Sequence, residues 1–115
     1  MKLKINSIDK TNERVWIQVL DDCDLSYYML CDTTYYANHS ISNELRHLYW
    51  FPRKYVKRDD WILLYSKNGT EKSVLNDKGT TTHIFFWDLD SKVWNNDGDA
   101  AVLLELNTWK TKRVS

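Results

Sequence analysis

The sequence predicts an all-β protein, one antiparallel sandwich of about seven to nine short strands. Three observations carry this. Runs of β-branched and aromatic residues alternate with polar ones, as in Val15-Trp16-Ile17-Gln18-Val19. Clusters of Asn, Asp, Gly and Lys break these runs about every 8–12 residues. No apolar period of about 3.6 residues persists anywhere, so amphipathic helices are not expected. A chain of 115 residues fits a single domain, residues 1–115. That length buries roughly 60–70% of the surface its unfolded form exposes, enough for one core without staples.

The elements follow in order. Leu3 and Ile5 alternate with Lys2 and Lys4, giving a first strand from Lys2 to Ile8. Asp9 to Glu13 is a polar turn, and Val15 to Leu20 a second strand. Asp21 to Asp24 turns the chain into a third strand, Leu25 to Asp32. Tyr35 to Glu44 has no period and reads as a loop. His47 to Phe51 is a short strand ended by Pro52, which lacks an amide donor. Lys57 to Asp60 is a turn before the dense β-formers Trp61 to Ser66. Lys67-Asn68-Gly69-Thr70 is the next turn, and polar Glu71 to Thr80 reads as a mobile loop. Thr81 to Trp87, Ala100 to Leu106 and Thr108 to Val114 complete the strands.

Composition excludes more than it assigns. Sixteen basic and sixteen acidic residues cancel, which argues against a dedicated nucleic-acid binder. Six Trp and seven Tyr suit a half-buried sheet face, an interface or a sugar-binding surface, and composition does not choose among them. Cys23 and Cys31, eight apart on an extended path, are too distant for a disulfide, and free thiols fit a reducing compartment. No signal-peptide pattern is visible and the longest apolar runs are five residues, so a cytoplasmic protein without membrane spans is expected. His39, His47 and His83 lack ligand spacing, and no zinc pattern, phosphate loop or nucleophile elbow occurs. No enzyme, cofactor or metal site is therefore expected.

The most specific segment is Ile84-Phe85-Phe86-Trp87, followed by Trp94-Asn95-Asn96-Asp97-Gly98-Asp99 and the apolar run Ala100 to Leu104. This resembles the end of a lamin tail domain. Two more stretches resemble that family in the same order: Asp24-Leu25-Ser26 with Tyr28, Leu30 and Asp32, and Trp50-Phe51-Pro52 with Val56 and Trp61 to Tyr65. The resemblance implies an immunoglobulin-like sandwich with Ile62, Leu64, Ala101 and Leu103 on inner faces. It implies no catalytic residues. Lacking a coiled-coil rod, a basic localisation run and a lipidation motif, the chain is more similar to stand-alone bacterial members than to a filament subunit. Leu106-Asn107-Thr108 stands where the family often has Asn-Gly.

Four candidate surfaces follow. Trp16, Trp61, Leu63 and Tyr65 alternate with inner residues, so they form an outward aromatic face for a protein partner or a second copy. Arg53, Lys54, Lys57 and Arg58, near Tyr49, Trp50, Phe51 and Tyr55, form a candidate nucleic-acid patch, with the solvated-turn reading favoured. Trp94, Asn95 and Asn96 are a candidate sugar site. Asp88, Asp90, Asp97 and Asp99 have calcium-type oxygens, but Asn/Asp/Gly clusters are what turns use, and the turn reading of Trp94 to Asp99 is preferred.

Overall fold

The computed structural model describes residues 1–95 and 98–115. The described chain is all-β, with ten strands and one 3₁₀ turn. They are β1 (Leu3–Asp9), β2 (Arg14–Val19), β3 (Cys23–Asp24), β4 (Tyr28–Thr34), β5 (Leu48–Trp50), β6 (Tyr55–Val56), β7 (Trp61–Tyr65), β8 (Lys72–Leu75), β9 (Thr81–Phe86) and β10 (Asp99–Glu105). A five-stranded sheet runs β1-β2-β7-β9-β8, and a three-stranded sheet runs β10-β4-β5. β3 and β6 form a two-stranded ribbon. No described helix is long and apolar enough to cross a membrane.

The core lies between the two larger sheets because the strands alternate. Val15, Ile17 and Val19 of β2 are fully buried, as is Ile62 of β7, and Leu64 beside it is 1% exposed. Phe85 of β9 joins them. Leu30 and Tyr28 of β4 come from the facing sheet, with Phe51 just beyond β5. Phe51 meets Tyr49 and Phe85 edge-on, with centroids 4.9 and 5.3 Å away. Each such ring contributes on the order of 1.5–3 kcal/mol by leaving water. The 3₁₀ turn Leu25–Tyr27 enters β4 under an Asp24 cap, whose Oδ1 accepts from the Ser26 amide and hydroxyl.

Three features depart from expectation. β7 and β9 are parallel, with Trp61 opposite Thr82 and Tyr65 opposite Phe86, where an antiparallel ladder throughout was expected. The chain leaves β7, forms the edge strand β8, and returns as β9 between the two. The stretch from Glu71 to Thr80, read as a loop, contains β8 and a tight turn. Asn76 builds that turn, its Oδ1 accepting from the Lys78 and Thr80 amides. Thr108 to Val114, read as a strand, carries none. Instead Trp109 packs edge-on against Tyr27 and Trp50, 5.3 and 5.1 Å between centroids. Lys110, Lys112 and Arg113 are exposed beyond it.

Candidate functional site

The outer face of the five-stranded sheet collects the chain's most distinctive side chains. Cross-strand register sets Arg14 opposite Tyr65, Trp16 opposite Leu63 and Gln18 opposite Trp61. The parallel pair adds Thr82, Ile84 and Phe86 to the same face. Trp16 and Trp61 meet edge-to-face at 6.2 Å, and Tyr65 and Phe86 stack at 5.3 Å and 10°. The stack requires glycine at position 69, because a Cβ there would lie 2.3 Å from the Phe86 ring. Close approach of a side chain, rather than an unusual φ, explains that residue.

Cations cover the rings. Arg14 Cζ sits 5.4 Å over Trp16 and 5.8 Å over Tyr65. Lys67 Nζ is 4.9 Å over Tyr65, and Lys78 Nζ is 5.4 Å over Trp61. Such contacts are worth about 0.5–1 kcal/mol when exposed. Arg14 is fixed further by donating to the Tyr65 hydroxyl at 3.1 Å and to Asp9 Oδ2 at 2.9 Å. Those bonds, Tyr65 foremost, raise its pKa above the ordinary guanidinium value. Beside the tryptophans is a hollow of about 370 Å³, lined also by Asn6, Ser7, Asp77 and Thr82.

Trp16, Trp61 and Tyr65 are half-buried on this face. Leu63 points the same way but is only 4% exposed. It sits on the central strand, flanked by Trp16 and Ile84, so its neighbours cover it. Sequence reasoning missed Arg14, Lys67, Lys78 and Phe86. The Thr82/Ile84/Phe86 alternation was a readable signal for the last. The lysines follow only from the folded turns.

Two of the four cations of the basic segment meet acids. Arg53 Nε lies 3.7 Å from Asp24, and Lys54 Nζ 3.8 Å from Glu71. The Arg58 amide donates to Asp22. The Lys57 amide donates to Asp60 Oδ2, closing the expected turn. Arg46, before this segment, pairs with Asp99 and bonds Thr34.

Trp94 is 2% exposed and packs with Trp87, so no ring face is offered to a sugar. The turn around it is held at both ends. Glu13, at φ 53°, sends its carboxylate to the Val93 amide at 2.7 Å and the Trp94 amide at 3.1 Å. Asp99 Oδ2 accepts from the Asn95 amide, and the Gly98 carbonyl from the Tyr35 amide. Asn96 and Asp97, named in the sugar, calcium and turn readings, lie outside the described residues. Among the described residues no three His, Cys, Asp or Glu converge to hold a metal.

A second polar construction spans β7, β8 and β9. Asp60 Oδ2 is 2.9 Å from His83 Nε2, and His83 Nδ1 is 3.0 Å from Ser73 Oγ. Asp60 also accepts from the Lys57 and Thr81 amides. Burial opposes its ionisation, but the bonds from His83, Lys57 and Thr81 prevail and hold its pKa below the usual 3.8. Neither comparison with known families nor comparison with curated proteins finds a match for this chain.

Proposed function

We propose that the protein is a non-enzymatic interaction module, a lamin-tail-like sandwich that docks an acidic segment of a protein partner on the outer face of its five-stranded sheet. One observation carries this: Trp16, Trp61, Tyr65 and Phe86 share that face with Arg14, Lys67 and Lys78, each cation lying over a ring. Aromatic residues and arginine are enriched in protein interfaces, and Lys67 and Lys78 favour carboxylates, Arg14 being paired already with Asp9. The sugar reading loses its platform with Trp94 buried. The nucleic-acid reading loses charge to Asp24 and Glu71. A cytoplasmic setting suits the two free thiols, of which burial pushes Cys23 up to about 11.

The Asp60–His83–Ser73 line has the composition of a hydrolytic triad, and we read it as a staple. Its carboxylate is bound to two backbone amides as well as the imidazole, which is what joining strands requires. A fluorophosphonate probe tests this: labelling of Ser73 that vanishes in His83→Ala would show an activated nucleophile.

The interaction reading is tested by tryptophan-fluorescence titration with acidic peptides containing one aromatic residue. Trp16→Ala/Trp61→Ala should weaken binding roughly tenfold or more, and salt should weaken it further. Equal binding by wild type and the double variant would remove the face from consideration.

A further inference from the structure

Asn68-Gly69 is the only Asn-Gly pair in the chain. The pairing matters chemically. Glycine has no Cβ, so its amide nitrogen is open to approach by the preceding carboxamide. The folded chain adds to this. Both residues are exposed and lie in the turn after β7, outside any strand. The Asn68 carboxamide has no hydrogen-bond partner among the described residues, so its Cγ is free to swing toward the Gly69 nitrogen. Other asparagines are held or hindered. Asn76 spends both ends of its amide in the β8–β9 turn. Asn6, Asn12 and Asn38 are bonded to Ser7, Asp9 and Ser40. Asn43 and Asn107 precede Glu44 and Thr108, whose side chains crowd the approach.

Two contacts tie this pair to the aromatic face. The Gly69 amide donates to Asp88 Oδ1 at 3.3 Å, so a carboxylate holds the hydrogen of the nitrogen in question. Gly69 also backs onto Phe86, so closely that a Cβ would lie 2.3 Å from the ring, and the backbone has no slack on that side. Phe86 in turn stacks on Tyr65. Lys67, the residue before Asn68, holds its Nζ 4.9 Å over that same Tyr65 ring.

We propose that Asn68 is a site of spontaneous deamidation, and that its conversion disarms the aromatic face. The Gly69 nitrogen gives up its proton and bonds Asn68 Cγ. The Cγ–Nδ2 bond breaks, and ammonia leaves with that proton, closing a succinimide. Water then opens the ring, and no atom changes oxidation state. Cleavage at Cγ gives aspartate. Cleavage at the main-chain carbonyl gives isoaspartate, whose backbone runs through Cβ and Cγ and is longer by one atom. Asp88 is the brake on the first step, because a carboxylate beside the nitrogen opposes the negative charge that builds as the proton departs. At 3.3 Å in an exposed turn, its bond to the amide is weak enough to open. Either product sets a new carboxylate beside Lys67 and draws the ammonium from Tyr65. Isoaspartate does more: the added backbone atom shifts Gly69 off Phe86, and the Tyr65–Phe86 stack loses its seat. Conversion therefore removes a cation from the face and adds an anion, which inhibits the docking of acidic segments; this consequence rests on the docking reading above.

Incubation of the full chain in mildly alkaline buffer, followed by peptide mapping with mass spectrometry, tests this. Acid should accumulate at position 68, as aspartate and isoaspartate, roughly tenfold faster than at Asn43 or Asn107. Asn68→Gln, which must close a larger ring, should abolish it. Asp88→Gly suits the positive φ of 59° at that position and deletes the brake, so it should speed conversion severalfold. In the isoaspartate form, separated by ion exchange, the Tyr65 and Phe86 ring protons should shift in NMR spectra. Its affinity for acidic peptides should fall roughly tenfold, and Asn68→Asp, which adds charge without length, should lose less. Conversion at Asn68 no faster than at Asn43 or Asn107 overturns the site. Unchanged or slower conversion in Asp88→Gly overturns the brake, and unmoved ring protons in the isoaspartate form overturn the link to the face. If the unmodified chain binds no acidic peptide, the docking reading alone fails, and the mapping and the ring shifts still judge this proposal.

Discussion

Among the described residues three carboxylates are withdrawn from solvent, Glu13, Asp32 and Asp60, and Glu13 and Asp60 are used differently. Glu13, 9% exposed, accepts the backbone amides of Val93 and Trp94 and so ties an incoming loop to the β1–β2 turn. Asp60, 7% exposed, accepts two amides and an imidazole that reaches the edge strand. The first is a local clamp that fixes where Trp94 lies. The second joins three elements, β7, β9 and β8. A clamp of the first kind fails by releasing one loop, and a junction of the second by loosening a sheet. The two should therefore separate in how much they cost and in what they release.

Asp60→Ala is the largest expected loss, about 3–5 kcal/mol, because it orphans two amides and the Nε2 side of the buried His83. Urea unfolding measures it, and hydrogen exchange should quicken along β8 and β9. Glu13→Ala should cost less, about 2–4 kcal/mol, with two amides orphaned. Its exchange effects should gather around Val93 and Trp94, with tryptophan emission shifting red as the Trp87–Trp94 pair opens. Equal losses with the same exchange pattern would erase the distinction.

Acid sharpens it further. The Asp60 pKa is depressed in the folded state, so the unfolded chain takes up that proton first. Its stabilisation is complete above the ordinary carboxylate value of 3.8 and is lost as pH falls through the lower folded value. Wild-type stability should fall through this range, and Asp60→Asn should flatten that dependence. Thermal melts between about pH 2 and 5 check this.

Neither carboxylate was legible in the sequence as anything but turn polarity. Their partners lie far along the chain, at Val93 and His83, and no spacing announces a contact made by folding. What periodicity encodes was readable, the alternation of Val15, Ile17 and Val19 with Trp16 and Gln18; the inner placement of Ile62 and Leu64, and with it the outward direction of Trp61 and Tyr65, followed from the family resemblance. Strand order was not readable. Without it Leu63 reads as exposed, although its place on the central strand covers it. Nor could β10 be recognised as an edge. Side-chain surfaces can thus be read from composition and period, whereas backbone surfaces appear only once neighbours are assigned. β8 was missed because four exposed residues carry little apolar pattern, and its order comes from β9 and from Ser73.

That last link is the smallest effect expected. Ser73 is exposed, so water can take its place on His83 Nδ1, and Ser73→Ala should cost only about 0.5–1 kcal/mol. The loss should show as faster exchange of the Lys72–Leu75 amides alone, with β9 unchanged. A cost approaching that of Asp60→Ala would mean the three groups act as one cooperative unit that docks the edge strand. Measuring Ser73→Ala with and without His83→Ala separates the cases: additive losses leave the hydroxyl a passive end of the junction, and strong coupling makes it a member.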